Sequence, residues 1–161
     1  MLTYPLNIAA EIEYARKWAF DRNPAYYNFD DLGGDCTNFI SQCLYAGGAA
    51  MNYTPDTGWY YSSLNSRAAA WTGVEFFYGF MVNNNEVGPF AEEVPLGMVQ
   101  VGDVIQLGGS DRFYHNLLVV DIKNGMPYIA CHTNDAFNMP LSAYRFSLKR
   151  CLHIIGARRY E

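Results

Sequence analysis

Two residues in this chain have the types and setting for covalent chemistry: a cysteine that opens a helix and a histidine that opens a strand. In Gly33-Gly34-Asp35-Cys36-Thr37-Asn38-Phe39-Ile40-Ser41-Gln42, two glycines and an aspartate lead into a cysteine where a helical apolar pattern begins. A thiol at a helix start lies among backbone N–H groups that have no intrahelical acceptor, at the positive end of the helix dipole. That setting favours the thiolate, which is the nucleophilic form. His115 lies downstream, just ahead of the apolar run Leu117-Leu118-Val119-Val120. A histidine placed there could take the thiol proton.

Only two other histidines are present, His132 and His153. His132 closes the strand that pairs with the His115 strand, so adjacent antiparallel strands can bring both imidazoles to one end of a sheet. The group that orients His115 is then His132, Asn134 or Asp135, each able to hydrogen-bond a ring nitrogen. His153 lies mid-strand near the end of the chain and is read as structural. An acyl-transfer site also needs donors for a developing oxyanion. The Cys36 N–H is one, and a hydroxyl from Tyr26 or Tyr27 in the preceding loop is the other candidate. Asp35 is the natural N-cap of the cysteine helix.

The elements that would position these groups are readable from periodicity. Ile8, Ile12, Ala15 and Ala19 mark one face of a helix over Asn7 to Asp21, capped by Asn7. The second helix covers Cys36 to Ala46 and ends at Gly47-Gly48. Ala49 to Ala70 shows no period and reads as a long loop whose aromatics, Trp59, Tyr60 and Tyr61, either wall a substrate groove or pin the loop to the surface through Trp59. Thr72 caps a third helix reaching Val82, and Glu86 to Gly97 is a connection. Strands follow at Val104 to Leu107, Phe113 to Ile122, Met126 to His132 and Leu152 to Arg158, with Asn124-Gly125 as a hairpin turn. Helices first and an antiparallel sheet after them give an α+β fold, a single domain over residues 1–161.

The 161 residues suffice for one real core, and 50% hydrophobic with 17% charged residues excludes wholesale disorder. A net charge of -5 without a basic cluster argues against nucleic acid as partner. No apolar run is long enough to span a bilayer. The first residues lack the basic and apolar regions of a signal peptide, so the expected location is cytosolic, or the chain is a domain of a longer secreted protein. The four cysteines match no zinc-finger spacing. Cys36 and Cys43 are about 10 Å apart along one helix, beyond the roughly 7 Å Cα separation of a disulfide. Cys43, Cys131 and Cys151 read as small buried hydrophobes.

Gly34 to Gly48, reading GDCTNFISQCLYAGG, resembles the signature of the putative amidase domain family, related to NlpC-type and CHAP-type cell-wall cysteine peptidases and amidases. Trp71-Thr72, Gly102 to Gln106, His115 before its strand and Cys131-His132-Thr133 are similar to the family pattern in order. The resemblance implies a papain-like fold with N-terminal helices packed on an antiparallel sheet. It makes Cys36 the nucleophile, His115 the base and His132 the third catalytic residue, with Tyr27 supporting the oxyanion. The implied substrate is an amide bond in peptidoglycan or a peptide, and no metal or cofactor is implied. Two rivals stay open: an idle glycan- or peptide-binding module on the same fold, and a metal site built from Cys36, His115 and His132.

Overall fold

The computed structural model describes all residues 1–161. In chain order the elements are β1 (Leu2–Tyr4), α1 (Ile8–Trp18), α2 (Cys36–Ala46), β2 (Tyr61–Ser63), β3 (Ser66–Arg67), α3 (Ala69–Thr72), α4 (Val74–Asn83), β4 (Gly88–Val94), β5 (Val104–Gly108), β6 (Phe113–Lys123), β7 (Met126–Cys131), β8 (Ala136–Pro140) and β9 (Leu148–Arg159). Seven strands form one antiparallel sheet in the order β1-β9-β5-β6-β7-β8, with β4 also paired to β9. The architecture is α+β. No helix is long and apolar enough to cross a membrane.

The sheet is covered on both faces, and the alternation of side chains sorts them. Val104, Leu118, Val120, Ala130, Leu152 and Ile154 face the helices and pack with Phe39, Ile40, Cys43 and Leu44 of α2. Ile105, Leu107, Leu117, Val119, Ile129 and Cys131 form the opposite face and pack under Leu141. This explains why β6 reads as an unbroken apolar run: it is buried on two sides. The β6–β7 turn has Asn124 at φ 51 and Gly125 at φ 79, the two left-handed residues that such a hairpin needs. All four cysteines are free and buried.

Several expected boundaries move. The Asn7 side chain accepts from the Ala10 N–H at 3.0 Å, as a cap should, but α1 stops at Trp18. Its buried line runs through Glu11 as well as Ala15. Thr72 does not cap α4. It ends α3, and its hydroxyl accepts from Arg67 Nε at 3.1 Å. The connection over Glu86 to Gly97 contains β4, which pairs only with β9; an edge strand tolerates Pro89. The long loop is held by a bridge between Asn52 and Trp59 and by the β2–β3 hairpin.

Candidate active site

Cys36 is the first residue of α2, as its sequence setting implies. Gly33 and Gly34 reach it at φ 85 and 94, a pair of left-handed residues that turns the chain into the helix. Asp35 stands at the N-cap position, yet its side chain makes no capping hydrogen bond, which corrects the expectation. The carboxylate is turned inward instead. Its Oδ1 accepts from the Phe29 N–H and from Asn38 Nδ2, both at 2.9 Å, and its Oδ2 lies 2.5 Å from His132 Nδ1. The first-turn N–H groups of α2 therefore keep no intrahelical acceptor.

The thiol lies against one edge of β6. Its Sγ is 3.8 Å from the Tyr114 carbonyl oxygen, and the Asn116 backbone amide also bonds it. Val119 exchanges backbone hydrogen bonds with Gly102 and Asp103 on the β5 side. Odd-numbered residues of this stretch thus bond towards β5, and Tyr114 and Asn116 turn towards β7. Pairing with β7 reaches only to Leu118. Cys36 fills the place of a strand neighbour beyond the end of β7, flanking His115 on both sides.

His115 itself points to the face away from α2. Its cross-strand partner is Leu107 and its ring lies 6.2 Å from that of Tyr144, both on the side opposite the helices. No hydrogen bond engages its imidazole, and none joins it to Sγ. Burial pushes the His115 pKa down to about 4. Burial also raises the Cys36 thiol above its ordinary value of 9.0, against the opposing pull of the Asn116 amide and the Thr37 hydroxyl. The helix start alone had implied a thiolate. Instead, burial outweighs it, and at neutral pH burial favours the neutral thiol and the neutral imidazole.

His132 comes to the same end of the sheet but to the other face. It stacks on Phe39 with ring centroids 4.1 Å apart, and its Nε2–H donates to the Trp18 carbonyl at 2.8 Å. With Nδ1 at Asp35, both ring nitrogens are occupied, so His132 does not orient His115. The same occupancy removes His132 as a ligand in a Cys36–His115–His132 metal site. No group of three or more His, Cys, Asp or Glu side chains converges elsewhere. Asp135 is held by Arg22, whose Nη1 and Nη2 meet its two oxygens at 3.0 and 2.9 Å. Arg22 also binds Asp30 and lies 3.7 Å from Asp35. Asn134 is exposed. His153 pairs with Asp103 at 3.0 Å, a structural role as read.

The two tyrosines separate cleanly. Tyr26 packs against Trp71 and Tyr61, and burial lifts its hydroxyl to about 12. Tyr27 is 42% exposed, its ring edge-on to Phe29 and its hydroxyl without a protein partner. Trp59 cannot wall a groove: it has no exposed surface, packs 4.5 Å from Trp71 and donates Nε1–H to Ser41 Oγ at 3.0 Å. A cavity of about 810 Å³ between the Asn52–Thr57 loop and α4 contains neither Cys36 nor His115.

Sequence reasoning missed Arg22, Asn38, Thr37, Gln106 and Asn116. For the last four the shared signal is polarity where burial is required, whereas Arg22, 21% exposed in the loop after α1, carries no such signal. Every residue from Cys36 to Leu44 is buried, four polar ones included, and β5 buries Gln106 at its centre. Buried polar groups need partners: Gln106, Asn116 and Thr37 bond in series, and Asn38 bonds Asp35.

The uncharacterized protein YhbB of Bacillus subtilis (strain 168) is 39% identical over 131 residues, 78% of this chain and 40% of that protein. The uncharacterized protein YjcM of the same organism is 26% identical over 140 residues, 81% of this chain and 32% of that protein. The chain thus spans well under half the length of both relatives. No solved structure matches it. Residues 6–155 match the putative amidase domain, and the chain belongs to that family.

Proposed function

We propose that the protein is a cysteine hydrolase that cleaves an amide bond through a Cys36 thioester. The observation that carries this reading is the seat of the thiol: first on α2 and against the backbone on both sides of His115. The family supplies the expectation of hydrolase chemistry.

A neutral imidazole is the form that can accept a proton, and His115 has a vacant nitrogen for it. Substrate carbonyl carbon meets Sγ while the His115 ring, turned about its side-chain torsions from the face away from α2 towards Sγ, takes the thiol proton. The oxyanion faces the free N–H groups at the start of α2, with the Tyr27 hydroxyl as a side-chain donor. His115 then protonates the leaving amine, and the thioester is hydrolysed by water that His115 deprotonates. His132 and Asp35 act by position, holding the first turn of α2 against Trp18. A cysteine-first helix on an antiparallel sheet, with histidine on a facing strand, favours a papain-like classification close to NlpC-type and CHAP-type enzymes. On that likeness the substrate is a peptidoglycan or peptide amide.

The test is hydrolysis of defined peptidoglycan fragments, followed by mass spectrometry of products and of the protein. The reading expects an acyl adduct on Cys36, no turnover by Cys36→Ala, and a loss of roughly 10³-fold or more in His115→Ala. Turnover that survives Cys36→Ala would overturn it. Fragment binding without turnover would favour the idle binding module.

A further inference from the structure

Four side chains, three of them fully buried, form a continuous chain across three strands from β9 to Cys36. Arg150, Gln106 and Asn116 are cross-strand neighbours on β9, β5 and β6. Arg150 Nε donates to Gln106 Oε1 at 2.7 Å, and Gln106 Nε2 donates to Asn116 Oδ1 at 2.8 Å. Asn116 Nδ2 donates to Thr37 Oγ1 at 3.0 Å, and that oxygen lies 3.8 Å from Cys36 Sγ. Gln106, Asn116 and Thr37 are each fully buried.

The direction of this chain is fixed by its far end. A guanidinium can only donate, so the Gln106 atom facing Arg150 must be the oxygen. Gln106 Nε2 also faces the Val74 carbonyl at 3.2 Å, which can only accept. The Gln106 amide therefore cannot flip, and through it neither can Asn116. Thr37 Oγ1 must then accept from Asn116, and its own proton is left for Sγ. Arg150 is itself anchored: its guanidinium is sandwiched between Tyr78 and Phe113 at 3.6 and 3.9 Å, with Nη2 3.3 Å from Glu75.

We propose that Arg150, Gln106, Asn116 and Thr37 are positioning residues that force the Thr37 hydroxyl to donate to Cys36 Sγ, and so stabilise the thiolate when it forms. This rests on Cys36 being the nucleophile. Neutral partners do the work at the sulfur, while the fixed positive charge sits three side chains away. The other groups at the sulfur are the Thr37 backbone amide, the Tyr114 carbonyl and Asn116 amide of β6, His115 beside them, Asp35 from its own turn and Cys131 from β7.

The test is the rate of Cys36 alkylation by iodoacetamide as a function of pH, read by peptide mass mapping in the full chain. Thr37→Val should slow the reaction about tenfold at neutral pH and move its midpoint upward, since a hydrogen bond to the charged form is lost. Thr37→Ser, which keeps the hydroxyl, should restore the wild-type profile. Gln106→Glu is the sharper probe. A carboxylate there accepts from both sides, flips Asn116, and turns the Thr37 proton away from sulfur, so it should slow alkylation although Thr37 is intact. An unchanged profile in folded Thr37→Val or Gln106→Glu overturns the proposal. Should Thr37→Val fail to fold, Gln106→Glu and Arg150→Met, the latter slowing alkylation about threefold, carry the same decision. The readout needs no turnover. A flat profile with normal hydrolysis removes the relay alone, whereas intact tuning with turnover in Cys36→Ala removes the nucleophile assignment.

Discussion

Two carboxylates are buried at opposite ends of α2, and they are treated in opposite ways. Asp35, 1% exposed at the N-terminal end, is met by the Phe29 N–H, the Asn38 amide and His132, with Arg22 behind. Glu11, fully buried beside Gly47 at the C-terminal end, has no hydrogen bond on either oxygen. Burial raises its pKa to about 9, with Asp103 adding to the effect, so it is an uncharged acid at neutral pH. The histidines repeat the contrast: His132 has both nitrogens bonded and His115 neither. A bonded ionisable group locks geometry, while an unbonded one survives only by giving up its charge. At the candidate site both kinds are wanted: a clamp that holds the helix start, and a base free to take a proton.

Breaking the clamp should have the largest effect. Asp35→Ala strands the His132 ring nitrogen, the Phe29 N–H and the Asn38 amide in the interior. The expected loss is about 3–5 kcal/mol, the range for removing one partner of a buried pair. Urea unfolding at pH 7 measures it, and a loss below about 1 kcal/mol would show that the carboxylate is not holding the turn.

Glu11 should give the opposite sign. Its folded pKa is raised, so its contribution is favourable below the unfolded value of 4.5 and is lost as pH climbs towards about 9. Each pH unit above 4.5 ionises it further in the unfolded chain only, at about 1.4 kcal/mol per unit. Glu11→Gln should therefore stabilise the protein by roughly 3–3.5 kcal/mol at pH 7, with the gain shrinking to nothing near pH 4. A gain independent of pH would mean that burial is not charging the wild type for its carboxylate.

The same contrast explains what could be read from the residues. The Gly-Gly-Asp-Cys entry, the α2 stripe and the Asn124-Gly125 hairpin are local signals, and each appears where it was expected. The α+β class followed from them. Glu11 could not be foreseen, because a glutamate four residues into an amphipathic helix is normally solvated. Trp59 read equally as a groove wall or as a pin for its loop, and sequence could not choose, because its burial depends on Ser41 and Trp71, distant in sequence. Asp35 looked like a cap because sequence shows which residue precedes a helix but not which distant imidazole competes for it. The polar chain to Cys36 joins residues 10 to 79 positions apart, so no window of sequence contains it.

His115 is the next test of an unbonded group. Its folded pKa of about 4 lies below its ordinary value of 6.5. A depressed value gives stability that is present above 6.5 and lost as pH falls towards 4, because only the unfolded chain takes up the proton. Wild type should lose roughly 2–3 kcal/mol relative to His115→Gln over that window, with the two converging above it. Thermal unfolding at a series of pH values reads this directly. Parallel curves would mean that the imidazole is paired or solvated in solution, and its role as a vacant base would fail with them.

Tyr27 carries the smallest expected change in stability and thereby separates position from chemistry. Its hydroxyl is exposed and donates to no protein group, so Tyr27→Phe should alter stability by less than about 0.5 kcal/mol. Tyr14 is the control: its hydroxyl donates to Gln42 and accepts from Asn23, so Tyr14→Phe should cost about 1 kcal/mol or more. If Tyr27 donates to the oxyanion, Tyr27→Phe should still lower kcat by about tenfold while leaving KM nearly unchanged, since the bond forms only in the transition state. A fall in kcat without a fall in stability marks a hydroxyl kept free for substrate. A variant with both values unchanged leaves the N–H groups at the start of α2 as the sole donors, and the exposed tyrosine becomes surface.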